Sequence, residues 1–205
     1  PTQAAFTATA SSPVYPAFPL PNSGTFMAFG RHVVVNPSNH KVYTMQVNTA
    51  VSTSAAVYDP GTNIMKPLDG IAGSPLFDAA NPGPCGGVNP PCVSWGRVNV
   101  IRAYPSLNRI YLGLLDTNSG IGRIVAIDSA TDAVVATWVG GSHSNRHTAS
   151  FLAVNEAQNR IYVTDYTNNK VTMLDPDLVQ IGPSTALPGG PSATAVNTVS
   201  NRLYV

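Results

Sequence analysis

The chain has 205 residues, a net charge of +1 at pH 7 and 10% Asp, Glu, Lys and Arg, against about 25% in a typical soluble domain. This near-neutrality excludes bulk electrostatic capture of nucleic acid or of an acidic membrane, and no apolar run approaches the ~18 residues of a membrane-spanning helix. Glu156 is the single glutamate, beside 17 Gly and 18 Pro, whereas helical surfaces need Glu, Lys, Arg and Gln. Short runs of Val, Ile, Tyr and Thr between turn residues instead predict an all-β protein.

The first segment, residues 1–25, is rich in Ala, Thr, Ser and Pro. We expect it to be an arm or linker that precedes a repeat region at residues 26–205. A start at Pro1 fits a mature chain after removal of a secretory signal. This segment therefore favours a secreted, extracellular or periplasmic protein.

One sequence phrase occurs four times from residue 36 onwards. In each copy an apolar run is followed by a turn rich in Asn, Pro or Ser, then a basic residue, then Ile, Val or Leu, and then a tyrosine. The four tyrosines are Tyr43, Tyr111, Tyr162 and Tyr204. They are spaced 68, 51 and 42 residues apart, so the shortest spacing is taken as the bare repeat unit.

In the first three units, a third apolar run ends in an aspartate. These residues are Asp59, Asp128 and Asp175, each followed by a polar turn. An aspartate in this place can accept hydrogen bonds from the turn amides and fix a hairpin. A fourth run closes the unit, most clearly at residues 133–139. Four strands in about 42 residues predict a β-propeller blade of antiparallel strands.

At these motifs the chain resembles the YVTN-type β-propeller repeat family of bacterial and archaeal secreted and surface-layer proteins. The resemblance is carried best by Asn-Arg-Ile-Tyr-Val-Thr at 159–164, Leu-Asp at 174–175 and Gly-Gly-Pro at 189–191. It implies blades at about 30–70, 97–141 and 147–190, and part of a fourth at 191–205. Three blades and part of a fourth form an incomplete ring, since about seven such units need roughly 290 residues. We therefore expect further blades, a complementary chain or a second copy of this chain to complete the ring.

An insertion at residues 71–96 interrupts the repeats and holds both cysteines, Cys85 and Cys92, in a Gly/Pro-rich loop. We predict a local disulfide, which favours an oxidising compartment. Two free thiols are the alternative. Metal ligation needs more soft ligands at suitable spacing, and no Cys-x-x-Cys motif is present.

Six basic residues lie near the predicted first strands of the blades, where a propeller lines its central channel. They are Arg31, His32, Arg97, Arg102, Arg146 and His147. If they converge at one mouth of the channel, they form a pocket for a carboxylate or phosphate group, since arginine offers a forked donor to such anions. The alternative is that they point outward or pair locally.

Other candidate sites each have a structural alternative. Three histidines, His32, His143 and His147, are candidate zinc or copper ligands, or simply loop residues; no metal or other cofactor is predicted. His40 takes the turn position that asparagine holds in the other copies. Two aspartates follow second strands, Asp116 and Asp165. They are either a pair that binds calcium or acts as acid and base, or turn formers. Two tryptophans offer either a sugar-stacking surface or packing: Trp95 and Trp138.

These observations favour a non-catalytic extracellular scaffold that binds a protein or a ligand. One alternative is a subunit of a propeller enzyme, an oxidoreductase or lactonase-like, with its site at the channel mouth. The other is a self-assembling surface or filament subunit, in which the arm or the open blade completes a neighbour. No nucleophile elbow, phosphate-binding loop or dinucleotide fingerprint is present.

Overall fold

The computed structural model describes residues 33–47, 53–68, 97–115, 121–142, 151–191 and 193–205. Within these ranges the chain folds into β-strands and two short 3₁₀ turns, Pro105–Leu107 and Glu156–Gln158, without an α-helix. The predicted all-β class is confirmed. None of the described segments is a helix long and apolar enough to cross a membrane.

The described strands form three four-stranded antiparallel sheets and one hairpin. The first sheet contains β1 (Val33–Val35), β2 (Val42–Val47), β3 (Thr53–Asp59) and β4 (Ile64–Pro67). The second contains β5 (Arg97–Tyr104), β6 (Arg109–Leu115), β7 (Ile121–Asp128) and β8 (Ala133–Ser142). The third contains β9 (Phe151–Asn155), β10 (Arg160–Asp165), β11 (Lys170–Leu174) and β12 (Thr185–Ala186). The hairpin contains β13 (Ala195–Asn197) and β14 (Arg202–Tyr204).

Each sheet is an up-and-down meander, with its strands in chain order from the first to the fourth. The first strands of successive sheets lie next to one another, β1 by β5, β5 by β9 and β9 by β13. The sheets therefore stack face to face along a shared inner edge, which is the arrangement of propeller blades. The prediction of three blades and the first strands of a fourth is confirmed; we call these blades 1 to 4.

The hydrophobic core lies between the blades in two clusters. In the first cluster, Tyr43 and Val57 of blade 1 pack against Ile110 and Leu112 of blade 2. The second cluster packs Tyr111 and the other face of blade 2 against blade 3. Successive side chains of a strand point to opposite faces, so β6 needs apolar residues at nearly every position. This burial on both faces explains why the sequence shows continuous apolar runs rather than alternation.

The turn of the repeat phrase has the same backbone conformation in all four copies. The residue three before each tyrosine has a positive φ: His40 at 58°, Asn108 at 54°, Asn159 at 52° and Asn201 at 53°. Asparagine tolerates this left-handed region better than most residues. His40 therefore takes a turn position that requires this backbone conformation.

Candidate functional site

A buried polar cluster joins blade 1 to blade 2, and we call it the first clamp. The Lys41 ammonium lies 2.9 Å from both carboxylate oxygens of Asp132, in the turn between β7 and β8. The Tyr43 hydroxyl donates to Asp132 Oδ1 at 3.2 Å. Only 10% of each charged side chain is exposed. A buried pair of this kind needs further hydrogen bonds to offset the desolvation of both charges, and Tyr43 supplies one.

Asparagine side chains extend the first clamp to the turns between the first and second strands of blades 1 and 2. Asn36 donates to Asn108 Oδ1 at 2.6 Å and to the hydroxyl of Ser129. Asn39 donates to the carbonyl of Ser129 at 2.9 Å. Because Asn36 and Ser129 are fully buried, these bonds satisfy groups that would otherwise be costly to bury. The blade 1–blade 2 interface is thus held by a polar network as well as by apolar packing.

Burial changes the ionisation of the tyrosine in this cluster. Desolvation raises the pKa of Tyr43 well above its ordinary value, and the nearby Asp132 carboxylate raises it further. A neutral hydroxyl at position 43 can donate to Asp132, whereas a phenolate could not. The neutral form is therefore the one that the first clamp requires.

A related but more open cluster joins blade 2 to blade 3, and we call it the second clamp. Arg109 Nη1 donates to the Pro176 carbonyl at 2.6 Å and lies 2.7 Å from Asp177 Oδ1. The Tyr111 hydroxyl donates to the same Pro176 carbonyl at 2.8 Å. Desolvation by burial raises the pKa of Tyr111 to about 12. In contrast to the first clamp, 70% of the Asp177 side chain is exposed.

The two clamps follow one rule. The basic residue and the tyrosine of one blade's repeat phrase contact the turn between the third and fourth strands of the next blade. The sequence prediction treated the tyrosines and the turn aspartates as parts of single repeats and missed the pairs between blades. The missed residues are Lys41, Asp132, Arg109 and Asp177. The sequence did contain a signal for the two acids. Asp132 follows the turn aspartate Asp128 by four residues, and Asp177 follows Asp175 by two.

The turn aspartates lie where third strands end. Asp59 Oδ1 accepts from the amide of Gly61 at 2.8 Å. Asp128 Oδ1 accepts from the amides of Ala130 and Thr131, both at 2.9 Å. Asp175 Oδ1 accepts from two amides of its own turn, at 2.9 and 2.8 Å. The amide of Thr131 is the main cause of a lowered pKa at Asp128. These carboxylates are occupied by turn amides.

Arg102 is the one channel-mouth candidate whose side chain lies in the described part of the chain. It is on β5, the innermost strand of blade 2, half-buried, with Nη1 donating to the Ile101 carbonyl at 2.8 Å. Desolvation lowers the pKa of its guanidinium. Among the described residues no carboxylate pairs with it. The other blades carry small or branched apolar residues at this place in the repeat, Val34, Ala153 and Ala195.

The remaining candidates fall largely outside the described residues. Arg97 lies in β5 opposite Leu115, but its side chain is outside them. Also outside are Arg31, His32, Arg146, His147, His143, Cys85, Cys92, Asp116 and Trp95, as are residues 1–25 and 71–96. The described part holds no group of three His, Cys, Asp or Glu side chains that could bind a metal.

Two further candidates are well placed in the fold. Asp165 ends β10 and accepts from the amide of Asn168 at 3.0 Å, with Lys170 Nζ at 4.0 Å from its carboxylate. It is a turn former here. Trp138 on β8 packs against the core between blades 2 and 3, which is the packing role rather than a stacking surface.

An apolar groove of about 480 Å³ lies on the face of blade 3 that is turned away from blade 2. Ile161 and Val163 pack toward blade 2, so the alternation along β10 places Tyr162 on the opposite face. Tyr162 lines the groove together with Val171, Met173, Pro183, Leu187 and Leu203. Leu203 belongs to blade 4, so the groove lies between the outer strands of blade 3 and the hairpin.

No protein-family model matches the chain, and no curated protein matches it. Similar solved structures have the β-propeller fold. The chain is similar to apo AztD from Citrobacter koseri, with 14% identity and a TM-score of 0.54, over 86% of this chain and 40% of that one. It is similar to hydrazine synthase of Kuenenia stuttgartiensis, with 10% identity and a TM-score of 0.54, over 85% and 57% of the two chains.

A third similar structure is the extracellular domain of a proposed one component system from B. thetaiotaomicron. The identity is 13% and the TM-score 0.53, over 84% of this chain and 18% of that one. The chain thus spans less than two thirds of the length of each of these proteins. At such identities the likeness shows the fold alone. The expected propeller fold is confirmed by blade geometry and by comparison, and the chain is a set of β-propeller blades.

Proposed function

We propose that the chain is part of a secreted YVTN-type β-propeller that binds a ligand or a protein without transforming it. This proposal is carried by the contacts of the described charged side chains, which are to other parts of the fold. The clamps use Lys41, Asp132, Arg109 and Asp177 to join blades, and the turn aspartates bind backbone amides. Because these groups are engaged in contacts that stabilise the fold, they are poorly placed for acid–base chemistry on a substrate.

The YVTN assignment is supported by the repeat phrase and its uniform turn. The tyrosines at 43 and 111 do the same job in successive blades, and the left-handed residue recurs three positions before each. A secreted location is supported by the low charge content and by the two cysteines Cys85 and Cys92, for which we predict a disulfide. Intact mass with and without reduction and alkylation tests whether these two thiols are joined.

Arg102 is the described residue best suited to bind a ligand. Its half-buried guanidinium lies on the strand nearest the propeller axis and lacks a described carboxylate partner. Ligand sites in propellers are expected at the mouths of the central channel. A partly desolvated guanidinium binds a carboxylate or phosphate more strongly than a fully hydrated one, since less solvation is lost on binding. We therefore assign an anionic group to the ligand.

Calorimetric titration with citrate and, separately, with inorganic phosphate tests this assignment. Wild-type protein should bind one of the two anions, and Arg102→Gln should weaken binding about tenfold or more, the value of one charge-assisted hydrogen bond. Arg202→Gln, on exposed β14, is the matched control and should bind as the wild type does. Equal affinities of wild type and Arg102→Gln for both anions would remove Arg102 from the site.

A further inference from the structure

Arg102 lies in blade 2, which packs against blade 1 on one side and blade 3 on the other. On β5 it is paired with the repeat tyrosine Tyr111. In the other blades the residues paired with the repeat tyrosine are Val34, Ala153 and Ala195. These four positions are equivalent in the repeat, so they lie at one level of the inner strands. In the described part of the chain, that level holds a single positive charge in an otherwise apolar set.

The side of β5 from which Arg102 projects is fixed by the core. Tyr111 packs between blades 2 and 3, and directly paired residues of antiparallel strands lie on the same face. The Arg102 side chain therefore projects toward blade 3. The neighbouring inner strand there is β9, which turns Leu152 and Val154 toward blade 2. The guanidinium is thus carried beside branched apolar side chains, of which Val154 is only half-buried.

One hydrogen bond within blade 2 orients the guanidinium of Arg102. Its Nη1 donates to the Ile101 carbonyl at 2.8 Å, which uses one of the five N–H donors of the group. Among the described residues no carboxylate pairs with the other donors. An arginine held in this way can offer two parallel N–H groups to one carboxylate. The geometry therefore suits a forked contact with a ligand carboxylate.

The charge and the surroundings of Arg102 restrict the ligand further. One guanidinium compensates one negative charge. A second negative charge, as on citrate or a phosphate dianion, would lose hydration beside Val154 without a described cation to compensate it. The branched side chains also favour a ligand with an apolar body, since such a body gains from leaving water.

We propose that Arg102 binds the carboxylate of a small monocarboxylate whose hydrocarbon body lies against Val154. This inference rests on the proposed function, in which Arg102 belongs to a ligand site, and it names the class of ligand. The ligand would lie at the inner edge of the interface between blades 2 and 3. It would be held by a charge-assisted pair at one end and by apolar burial along its length.

Calorimetric titration of the whole chain at pH 7 with hexanoate, butyrate, citrate and inorganic phosphate tests the ligand class. Hexanoate should bind more tightly than citrate or phosphate. It should also bind about tenfold more tightly than butyrate, because it buries two further methylene groups. Arg102→Gln should weaken hexanoate and butyrate by the same factor, about tenfold, because both ligands carry the same carboxylate.

Val154→Thr tests the apolar contact separately from the charge. Threonine keeps the shape of valine but adds a hydroxyl group, so this variant should lower the preference for hexanoate over butyrate. The preference is measured on folded protein and does not depend on a change in stability. Val135→Thr, the same change at an exposed position of β8, is the matched control and should keep the wild-type affinities.

The outcomes distinguish this inference from the proposed function. Tighter binding of citrate or phosphate than of hexanoate, weakened by Arg102→Gln, would overturn the ligand class and leave Arg102 in a ligand site. Equal affinities for hexanoate and butyrate, or an unchanged preference in Val154→Thr, would overturn the apolar contact. Equal binding of hexanoate by the wild type and Arg102→Gln, or binding of none of the four anions, would overturn both proposals for Arg102.

Discussion

The tyrosine of the repeat phrase behaves differently from blade to blade. Tyr43 and Tyr111 are fully buried, whereas 55% of Tyr204 is exposed. Burial follows from the next blade, because each hydroxyl is covered by the turn that it contacts. The same residue in the same local phrase is therefore a core residue or a surface residue according to what packs beyond it.

Asp132→Asn should destabilise the protein because it leaves the Lys41 charge buried without its counter-ion. Removing one partner of a buried pair typically costs about 3–5 kcal/mol. Asparagine retains the shape of the side chain and tolerates the positive φ of 59° at this position, so backbone strain does not contribute. Urea unfolding followed by tryptophan fluorescence measures the loss.

The matched control is Asp177→Asn, whose side chain is mostly exposed. An exposed pair contributes about 1 kcal/mol or less, so this variant should remain close to wild type. Equal losses in the two variants would show that burial does not distinguish the two clamps.

His40 offers a test of backbone geometry alone. Its φ of 58° matches the asparagines of the other copies, and its side chain is exposed. His40→Asn should therefore be neutral or slightly stabilising, whereas His40→Val should cost about 1–2 kcal/mol because a β-branched residue is strained in the left-handed region. Thermal unfolding of the two variants measures the difference, and similar melting temperatures would contradict it.

At the level of elements, the interfaces between sheets combine apolar packing with a polar clamp at one end. Blade 2 contributes β6 to both interfaces, Ile110 and Leu112 to one and Tyr111 to the other. In blades 2 and 3, the turn between the third and fourth strands then covers the tyrosine of the blade before it. A strand and a turn from different blades thus form one unit.

The buried tyrosines predict how stability depends on alkaline pH. The pKa of Tyr111 is raised to about 12 in the fold, above the ordinary value near 10. The stability that its neutral form contributes is fully present below pH 10 and is lost as the pH rises toward 12, by up to about 1.4 kcal/mol per pH unit. Urea midpoints measured from pH 8 to 12 should therefore fall less steeply for Tyr111→Phe than for wild type.

Tyr204→Phe serves as the control for that experiment. Tyr204 occupies the same repeat position but is half exposed, so Tyr204→Phe controls for the loss of a tyrosine hydroxyl outside the core. If Tyr111→Phe and wild type lose stability in parallel, the hydroxyl of Tyr111 is not coupled to folding in this pH range.

At the scale of the whole molecule, the order of burial predicts a gradient of local stability. Blade 2 is packed on both faces, whereas Val33 in blade 1 and Tyr204 in blade 4 are more than half exposed. Hydrogen exchange measured by mass spectrometry should therefore be slowest in β6 and β7 and fastest in β13 and β14. Uniform protection across all described strands would contradict this gradient.

A cavity made in blade 2 should accordingly lower the free energy of unfolding of the stacked blades. Leu112 is fully buried in the first core cluster, and Leu112→Ala should cost about 2–5 kcal/mol in the free energy of unfolding. Leu107→Ala, at an exposed position, is the control and should cost about 0.5 kcal/mol or less. Chemical denaturation compares them, and a loss at Leu112 as small as that at Leu107 would contradict packing between the blades.

Local chemistry made much of the fold readable in the sequence. Turn residues, β-branched runs and the recurring tyrosine depend on interactions within a few residues, so strands, hairpins and the blade repeat could be predicted from them. Asp128 and Asp175 bond to amides two to four residues away, which is why their turns were predictable. The turn position of His40 followed from alignment of the copies, and the structure then showed its positive φ.

The sequence by itself determined the class of fold, the blade repeat and the hairpin turns of this protein. Only the tertiary structure decided which charges meet, since Lys41 and Asp132 are 91 residues apart and their pairing depends on how two sheets stack. It also decided which tyrosine is buried and left Arg102 half-buried on the inner strand. The physical reason is that burial and ion pairing depend on neighbouring blades, whereas strand and turn formation depend on adjacent residues.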